Sequence, residues 1–427
     1  VTWIPVAALA AILLLAGTGI AYVVGAVSVA AFVLTDHAAH LAVLPQQVFS
    51  KLDVFALMSM PLFILTGELM NRAGVTRALI EFAMLLMGRL RGGLGHVNIL
   101  TSVFFAGVSG SAVADAAALS NTLVPEMRAR GYPLLYASAV TAASSVIGPI
   151  IPPSIILIFY GAIMGTSVPA LFMAGILPGL LLAAALLALN AYVARRDGHP
   201  RMEAGEMPPF WATVRRALPA LSLPAIILGG IVFGVTTPTE AAAVAVVAAL
   251  GAGWFYGGLS RPALREAGLA TVRLSGSIFV ILVAVAALGH LASLEQLPQR
   301  IAEGVQALGL GPWGYMLLLN VIFIAVGMVF DIPLALALLV PLLVPPAIAA
   351  GFDPVYVGMV VCFNLCLGLI TPPMGGCLMV VSAVTRVRYW DLARAVLPFV
   401  AAEVAVLALL VAVPDISLLL PRLAGLL

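Results

Sequence analysis

Four carboxylates stand inside apolar stretches of this chain: Glu68, Asp115, Asp331 and Glu403. An ionisable group at membrane depth is costly and by default marks a site or an ion path. Asp115 and Asp331 each follow a glycine-rich break, Gly107 to Gly110 in one case and Gly327 in the other. A carboxylate beside hydroxyls and freed backbone carbonyls offers hard oxygens to a small cation, the chemistry used where transporter helices are broken. Ser109, Ser111, Ser144, Ser145, Asn364 and Thr371 supply further oxygens. Each has a competing use, capping a broken helix end and satisfying its orphan amides. For the two aspartates together, cation binding is the stronger reading, with Asp331 the more sensitive because fewer hydroxyls surround it. Glu68 and Glu403 lie nearer predicted ends or in plain helix and read as packing or snorkelling residues. Glu240, after Pro238 and Thr239, reads as part of a helix N-terminus.

Other chemistry finds little support. His37 and His40 share a loop, His96 and His290 lie near span ends, and His199 sits in an arginine-rich loop. No HExxH, GxSxG or Walker motif occurs. Direct coupling to ATP is therefore excluded, no enzyme is indicated, and no cofactor beyond a coupling ion is expected. Cys362, Cys366 and Cys377 share one apolar stretch with no histidine to complete a transition-metal site, and read as packing residues. The formal net charge is +2, with no basic cluster interleaved with aromatics, which argues against nucleic acid as a partner.

Solvent preference dictates the elements that position these residues. Of 427 residues, 63% are hydrophobic and 9% charged, against roughly 25% charged in an ordinary soluble domain. Most of the outer surface must face lipid, and long apolar runs select helices over a barrel. Apolar segments fall at 4–34, 54–70, 95–127, 134–166, 170–194, 217–235, 240–258, 274–293, 312–346, 355–385 and 395–413. The first is too long for a cleaved signal peptide and reads as a retained span. Three others are punctuated inside, by "GVSGSAVAD" (107–115), "GPIIPPS" (148–154) and "GLITPPMG" (368–375). Adjacent prolines break the helical ladder, and broken backbone at membrane depth must be buried in protein or line a polar cavity.

Arginine placement orders the spans. If 95–127 and 312–346 are re-entrant hairpins and every other segment crosses once, all basic residues except Lys51, Arg300 and Arg422 fall on one side. That side is cytoplasmic by the positive-inside rule. The chain also repeats itself at an offset of 220: Val124-Pro125 with Val344-Pro345, Gly148 with Gly368, Pro152-Pro153 with Pro372-Pro373. Dropping four residues pairs Asp115 with Asp331. The copies enter from opposite sides, so the expected fold is an all-α polytopic membrane protein with inverted repeats and a site at their interface. Within a single permease domain, the first repeat covers about 54–194, the second about 274–413, and linker helices fill 217–258. Amphipathic arms precede the two hairpins, with stripes Leu79, Phe82, Leu86, Leu90 and Leu297, Ile301, Val305, Leu308.

The strings "PLFILTGELMNRAG" (61–74), "RGGLGHVNI" (91–99), "FFAGVSGSAVADAAAL" (104–119), "IGPIIPPSI" (147–155), "TPTEAAAVAV" (237–246) and "GLITPPMG" run in order along the chain. They resemble the large membrane subunit of tripartite ATP-independent periplasmic (TRAP) transporters, the dicarboxylate and sialic acid permease family. The resemblance implies sodium-driven import of an organic acid across the bacterial inner membrane by an elevator movement. A periplasmic solute-binding protein would deliver the cargo, and a small four-helix membrane subunit would accompany this one. By position, the first sodium site involves Ser109, Gly110, Ser111 and Asp115 of the hairpin with Ser144, Ser145 and Gly148 by the first double proline. The second involves Gly327, Asp331, Asn364, Gly368 and Thr371. The cargo would meet Pro153 and Ser154 at one tip and Pro373, Met374 and Gly375 at the other. Met374 stands where the first copy has Ser154, which argues against a symmetric clamp. Two other readings are a standalone sodium–carboxylate symporter and a membrane scaffold or enzyme without transport.

Overall fold

A computed structural model describes residues 3–307 and 309–427, and helices are the only regular secondary structure among them. The chain opens with α1 (Trp3–Leu15) and α2 (Ile20–Leu34). Val6 in α1 shares one buried cluster with Ala31 and Phe32 at the far end of α2. The pair therefore folds back on itself, and 4–34 is not the single span expected. Gly17 sits in the left-handed region at φ 75, which a glycine adopts without penalty. No Lys or Arg precedes Lys51, so this correction leaves the partition of basic residues unchanged. Then come α3 (Leu44–Leu52) and, beyond a 64° bend, a 3-10 turn running into α4 (Ser59–Arg72).

The first arm is α5 (Val75–Met87), and its buried face is Val75, Leu79, Ile80, Ala83 and Met84. Leu86 and Leu90 of the expected stripe are exposed. The hairpin and linker helices packed on the arm, rather than its own periodicity, decide which face is covered. Next, α6 (Gly93–Ser109) and α7 (Ala112–Ala129) form the first re-entrant hairpin. Asn98 near the start of α6 meets Met127 near the end of α7, and the Leu94 amide donates to the Tyr132 hydroxyl. Entry and exit thus lie on one side. The first broken helix is α8 (Leu134–Ser145) plus α9 (Ile155–Met164), followed by α10 (Val168–Arg196).

Two linker helices, α11 (Phe210–Val232) and α12 (Pro238–Tyr256), join the halves. A reciprocal capping box between Thr237 and Glu240 opens α12. Its buried Ala241, Ala245, Ala249 and Ala252 let it approach α4 closely. In the second half, α13 (Arg261–Leu294) starts well before the apolar segment 274–293, and its 34 residues span about 51 Å at 1.5 Å per residue. The second arm is α14 (Leu297–Ala307); Leu308 and the Val305 side chain of its expected stripe lie outside the described residues. The second hairpin is α15 (Pro312–Gly327) with α16 (Ile332–Ala349), and the Tyr315 hydroxyl donates to the Leu343 carbonyl at 2.6 Å across it. The second broken helix is α17 (Pro354–Gly368) plus α18 (Gly376–Thr385). The chain closes with α19 (Tyr389–Ala412) and a short α20 (Asp415–Leu423) packed on α10, which the apolar segments did not foretell.

The halves run in one register. Helix α7 spans 112–129 where α16 spans 332–349, and α8 starts at 134 where α17 starts at 354. Ser111 and Asp331 are therefore counterparts, each at the N-cap of its hairpin's second helix. The four-residue gap that pairs Asp115 with Asp331 is not needed, and Asp115 falls opposite Ala335. The halves also clasp one another. The first hairpin packs on α8 of its own half and α18 of the other, and the second on α17 and α9. With α10 and α19 this makes one block. Helices α4, α11, α12 and α13 pack together as a second body, with α2 and α3 against α13.

Candidate functional site

The first hairpin turns at Ser109-Gly110-Ser111. Gly110 is left-handed at φ 60, and Ser111 is extended, its hydroxyl accepting the Ala114 amide at 3.4 Å. A Cβ on Gly110 would lie 2.7 Å from the Pro153 carbonyl, so the turn presses directly on the first double-proline break. One turn into α7, Asp115 is completely buried. Ser109 donates its hydroxyl to Oδ1, while Oδ2 has no partner among the described residues. Gly148 leaves the space that this oxygen fills, since a Cβ there would run into Oδ2. The carboxylate is thus wedged between the hairpin turn and the broken helix.

Below it runs a polar network that joins the expected Ser144 to Asn98, Ser102 and Thr141, which the sequence reading did not single out. Asn98 donates to the Thr141 hydroxyl at 2.6 Å, Ser144 donates to Asn98 Oδ1 at 2.9 Å, and Ser102 donates to Ser144 at 2.9 Å. Ser145 donates to the Ala142 carbonyl at 2.7 Å. Single polar residues in apolar runs were the available signal.

In the second half, Gly327 packs on the other break, and a Cβ there would lie 3.4 Å from Gly368 Cα and 3.3 Å from the Leu365 carbonyl. Asn364, the counterpart of Ser144, donates to the Asn320 carbonyl at 2.9 Å and to Asn320 Oδ1 at 2.8 Å. Its own Oδ1 is buried with no partner among the described residues. Each half thus ties its broken helix to an asparagine on the entering helix of its hairpin. Thr371 donates to the Leu367 carbonyl at 2.7 Å. Asp331 reaches solvent and makes no side-chain cap bond to its helix.

The two tips differ. Both Pro–Pro peptides, Pro152-Pro153 and Pro372-Pro373, are cis. Pro153 and Ser154 are buried; Ser154 donates to the Pro149 carbonyl and accepts from the Leu157 amide at 3.3 Å. Pro373 and Met374 are exposed, with Gly375 beside them at φ 52 and the Tyr389 hydroxyl donating to the Met374 carbonyl at 2.9 Å. Between the block and the second body lie two clefts of mainly apolar lining. One of about 310 Å³ is bounded by Phe104, Gly107, Pro152 and Pro224, and one of about 260 Å³ by Ile163, Leu282, Val285 and Pro341.

Among the described residues, six helices long and apolar enough to cross a membrane, or seven counting the bent segment 38–72, together with paired hairpins and broken helices, define a polytopic membrane permease. The chain belongs to the family described as Tripartite ATP-independent periplasmic transporter, DctM component, which matches residues 7–416. It is a transporter component and not an enzyme, a multi-pass protein of the inner membrane, and it works with a small membrane subunit and a periplasmic binding protein. It is 39% identical over 394 residues to the sialic acid TRAP transporter large permease protein SiaM of Vibrio cholerae, covering 92% of each chain. It is 36% identical over 380 residues to the C4-dicarboxylate TRAP transporter large permease protein DctM of Pseudomonas aeruginosa, covering 89% of each. Among solved structures, the YdaH transporter of Alcanivorax borkumensis, described as having an unusual topology, shares the fold with a TM-score of 0.64 at 14% identity, covering 88% of each chain.

Proposed function

We propose that this chain imports an organic acid driven by sodium, with the block of hairpins and broken helices sliding past the second body as an elevator. One observation carries the reading: Asp115 Oδ2, fully enclosed in the block, has no partner among the described residues. An anionic oxygen at that depth needs a cation. Its neighbours are a hydroxyl and the carbonyls of a broken helix, hard donors that suit Na+ better than a soft transition metal. In this reading Asp115 and Ser109, with backbone around Gly110, Ser111, Ser145 and Gly148, hold one ion. Asn364 Oδ1, with backbone near Gly327, Gly368 and Thr371, holds the second. Relatives named for sialic acid and C4-dicarboxylates support a carboxylate cargo. The cargo meets the open tip at Pro373 and Met374 before the closed one at Pro153 and Ser154.

Two mainly apolar clefts along the seam favour sliding, because few polar contacts have to be exchanged as the block moves. The test is uptake of labelled sialic acid and succinate into liposomes holding this chain, its small subunit and the loaded binding protein. Asp115→Asn should raise the sodium concentration for half-maximal uptake by about tenfold or more, each tenfold being 1.4 kcal/mol of lost ion binding. Unchanged sodium activation would return Asp115 to a structural role.

A further inference from the structure

Glu403 occupies the middle of α19, on the stripe that also buries Phe399, Val400, Val406 and Leu407. It is fully enclosed, and neither carboxylate oxygen has a hydrogen-bond partner among the described residues. Of the two expectations from the sequence, packing or snorkelling, snorkelling does not occur, because this face of α19 is turned into the block rather than toward an interface.

Helix α19 packs on α8, α10, α17 and α18. Helix α8 carries no charged residue, and α10 carries none before Arg195. Tyr136 of α8 is engaged with Asn190 of α10, and Tyr356 of α17 with the Val411 carbonyl two turns away. The titratable groups on the other two helices that interact with Glu403 are the buried thiols, Cys366 on α17 and Cys377 on α18, and Asp115 and Asp331 also act on Cys377. An ionised carboxylate enclosed this way, with no cation beside it, costs several kcal/mol even after relaxation. Sodium would need a shell of hard oxygens, which thiols and alkyl groups do not supply. A proton needs no shell.

We propose that Glu403 is a proton-binding site within the sliding block: the block moves with this carboxyl neutral, and import stalls when the proton leaves. The effect on uptake rests on the import reading above, but the proton itself can be observed without transport. Above the range in which exposed carboxyls titrate, and in saturating sodium to hold Asp115 ionised, infrared spectra of the purified chain with its small subunit should show a protonated carboxyl band that fades in alkaline medium and is missing from Glu403→Gln. In liposomes with the loaded binding protein, uptake of labelled sialic acid or succinate should fall about tenfold per pH unit once the proton is lost. Glu403→Gln, neutral and of nearly the same shape, should hold its rate across that range with unchanged sodium dependence. If Gln disturbs folding, Glu403→Met gives the neutral comparison. Retention of the band in the variant, or a pH profile like the wild type's, overturns the proposal. A raised sodium requirement also overturns it, by making Glu403 a sodium ligand. Loss of uptake of both acids with the band behaving as expected refutes the import reading and leaves the proton site standing.

Discussion

Asp115 and Asn364 differ in charge but share a circumstance: each presents, inside the protein, one oxygen that no donor among the described residues reaches. Asp331 reaches solvent instead, and on that ground we expect Asp115 to be the more sensitive of the two. Asp331→Asn should shift the sodium dependence of uptake less than Asp115→Asn does, measured as the sodium concentration for half-maximal uptake. Asn320 is a positioning residue, since its carbonyl and side chain fix the Asn364 amide. Replacing Asn320 by Leu removes the side-chain bond and should weaken sodium activation while Asn364 itself remains. A Ser144→Ala change should instead lower stability by about 1 kcal/mol per lost bond, read as an earlier melting transition. Asp115, Ser109 and Asn364 were legible in the sequence because carboxylates and hydroxyls beside broken helices are rare in apolar runs. Asn320 was not. Its counterpart at the repeat offset is Leu100, so the internal symmetry carried no hint of it, and contact between distant helices decided its use.

At the level of elements, hairpins and broken helices could be read from punctuation alone, since Gly and Pro act locally on the backbone. What could not be read was direction within a long apolar run. The segment 4–34 reverses at Gly17, and hydropathy has no term for a reversal. Likewise α13 continues through Arg261, Arg265 and Arg273, because a helix end in water tolerates charges that end an apolar segment. Close packing also escaped the sequence reading. Gly107 approaches the linker helix so nearly that a Cβ would lie 2.8 Å from Pro224 Cβ, and Gly67 of α4 would meet Ser109 Cα at 3.2 Å. The first hairpin thus touches the second body at two glycines. Gly107→Val should preserve expression yet cut uptake by about tenfold or more, since overpacking of this kind costs 1–3 kcal/mol and here loads the seam. Pro224→Ala in the same chain should restore part of the rate. A loss that Pro224→Ala leaves unchanged would place the damage inside the hairpin instead.

Across the whole molecule, the clasp between halves makes one block out of residues far apart in sequence, and the partner requirement follows from what surrounds it. Among the described residues no soluble domain encloses a solute, and the longest break between helices on the arginine-rich side, residues 197–209, lies on Gly88, Gly92 and Tyr132. The chain alone in liposomes under an inward sodium gradient should therefore show little uptake of sialic acid or succinate. Adding the small subunit and the loaded binding protein should restore it, and a potassium gradient should not substitute. Strong uptake by the isolated chain would favour the standalone symporter.

The exchange of partners between the halves bears on ancestry. Each hairpin grips the outgoing helix of the opposite half, α7 against α18 and α16 against α9. A half-length forerunner would have left that grip unfilled, and a second copy could fill it. Gene fusion through a linker such as α11 and α12 would then have freed the copies to diverge, one keeping Ser154 and the other acquiring Met374 at the matching tip. The same grip implies that the chain cut within residues 197–209 should reassemble from two co-expressed fragments, and that neither fragment should persist in the membrane without the other.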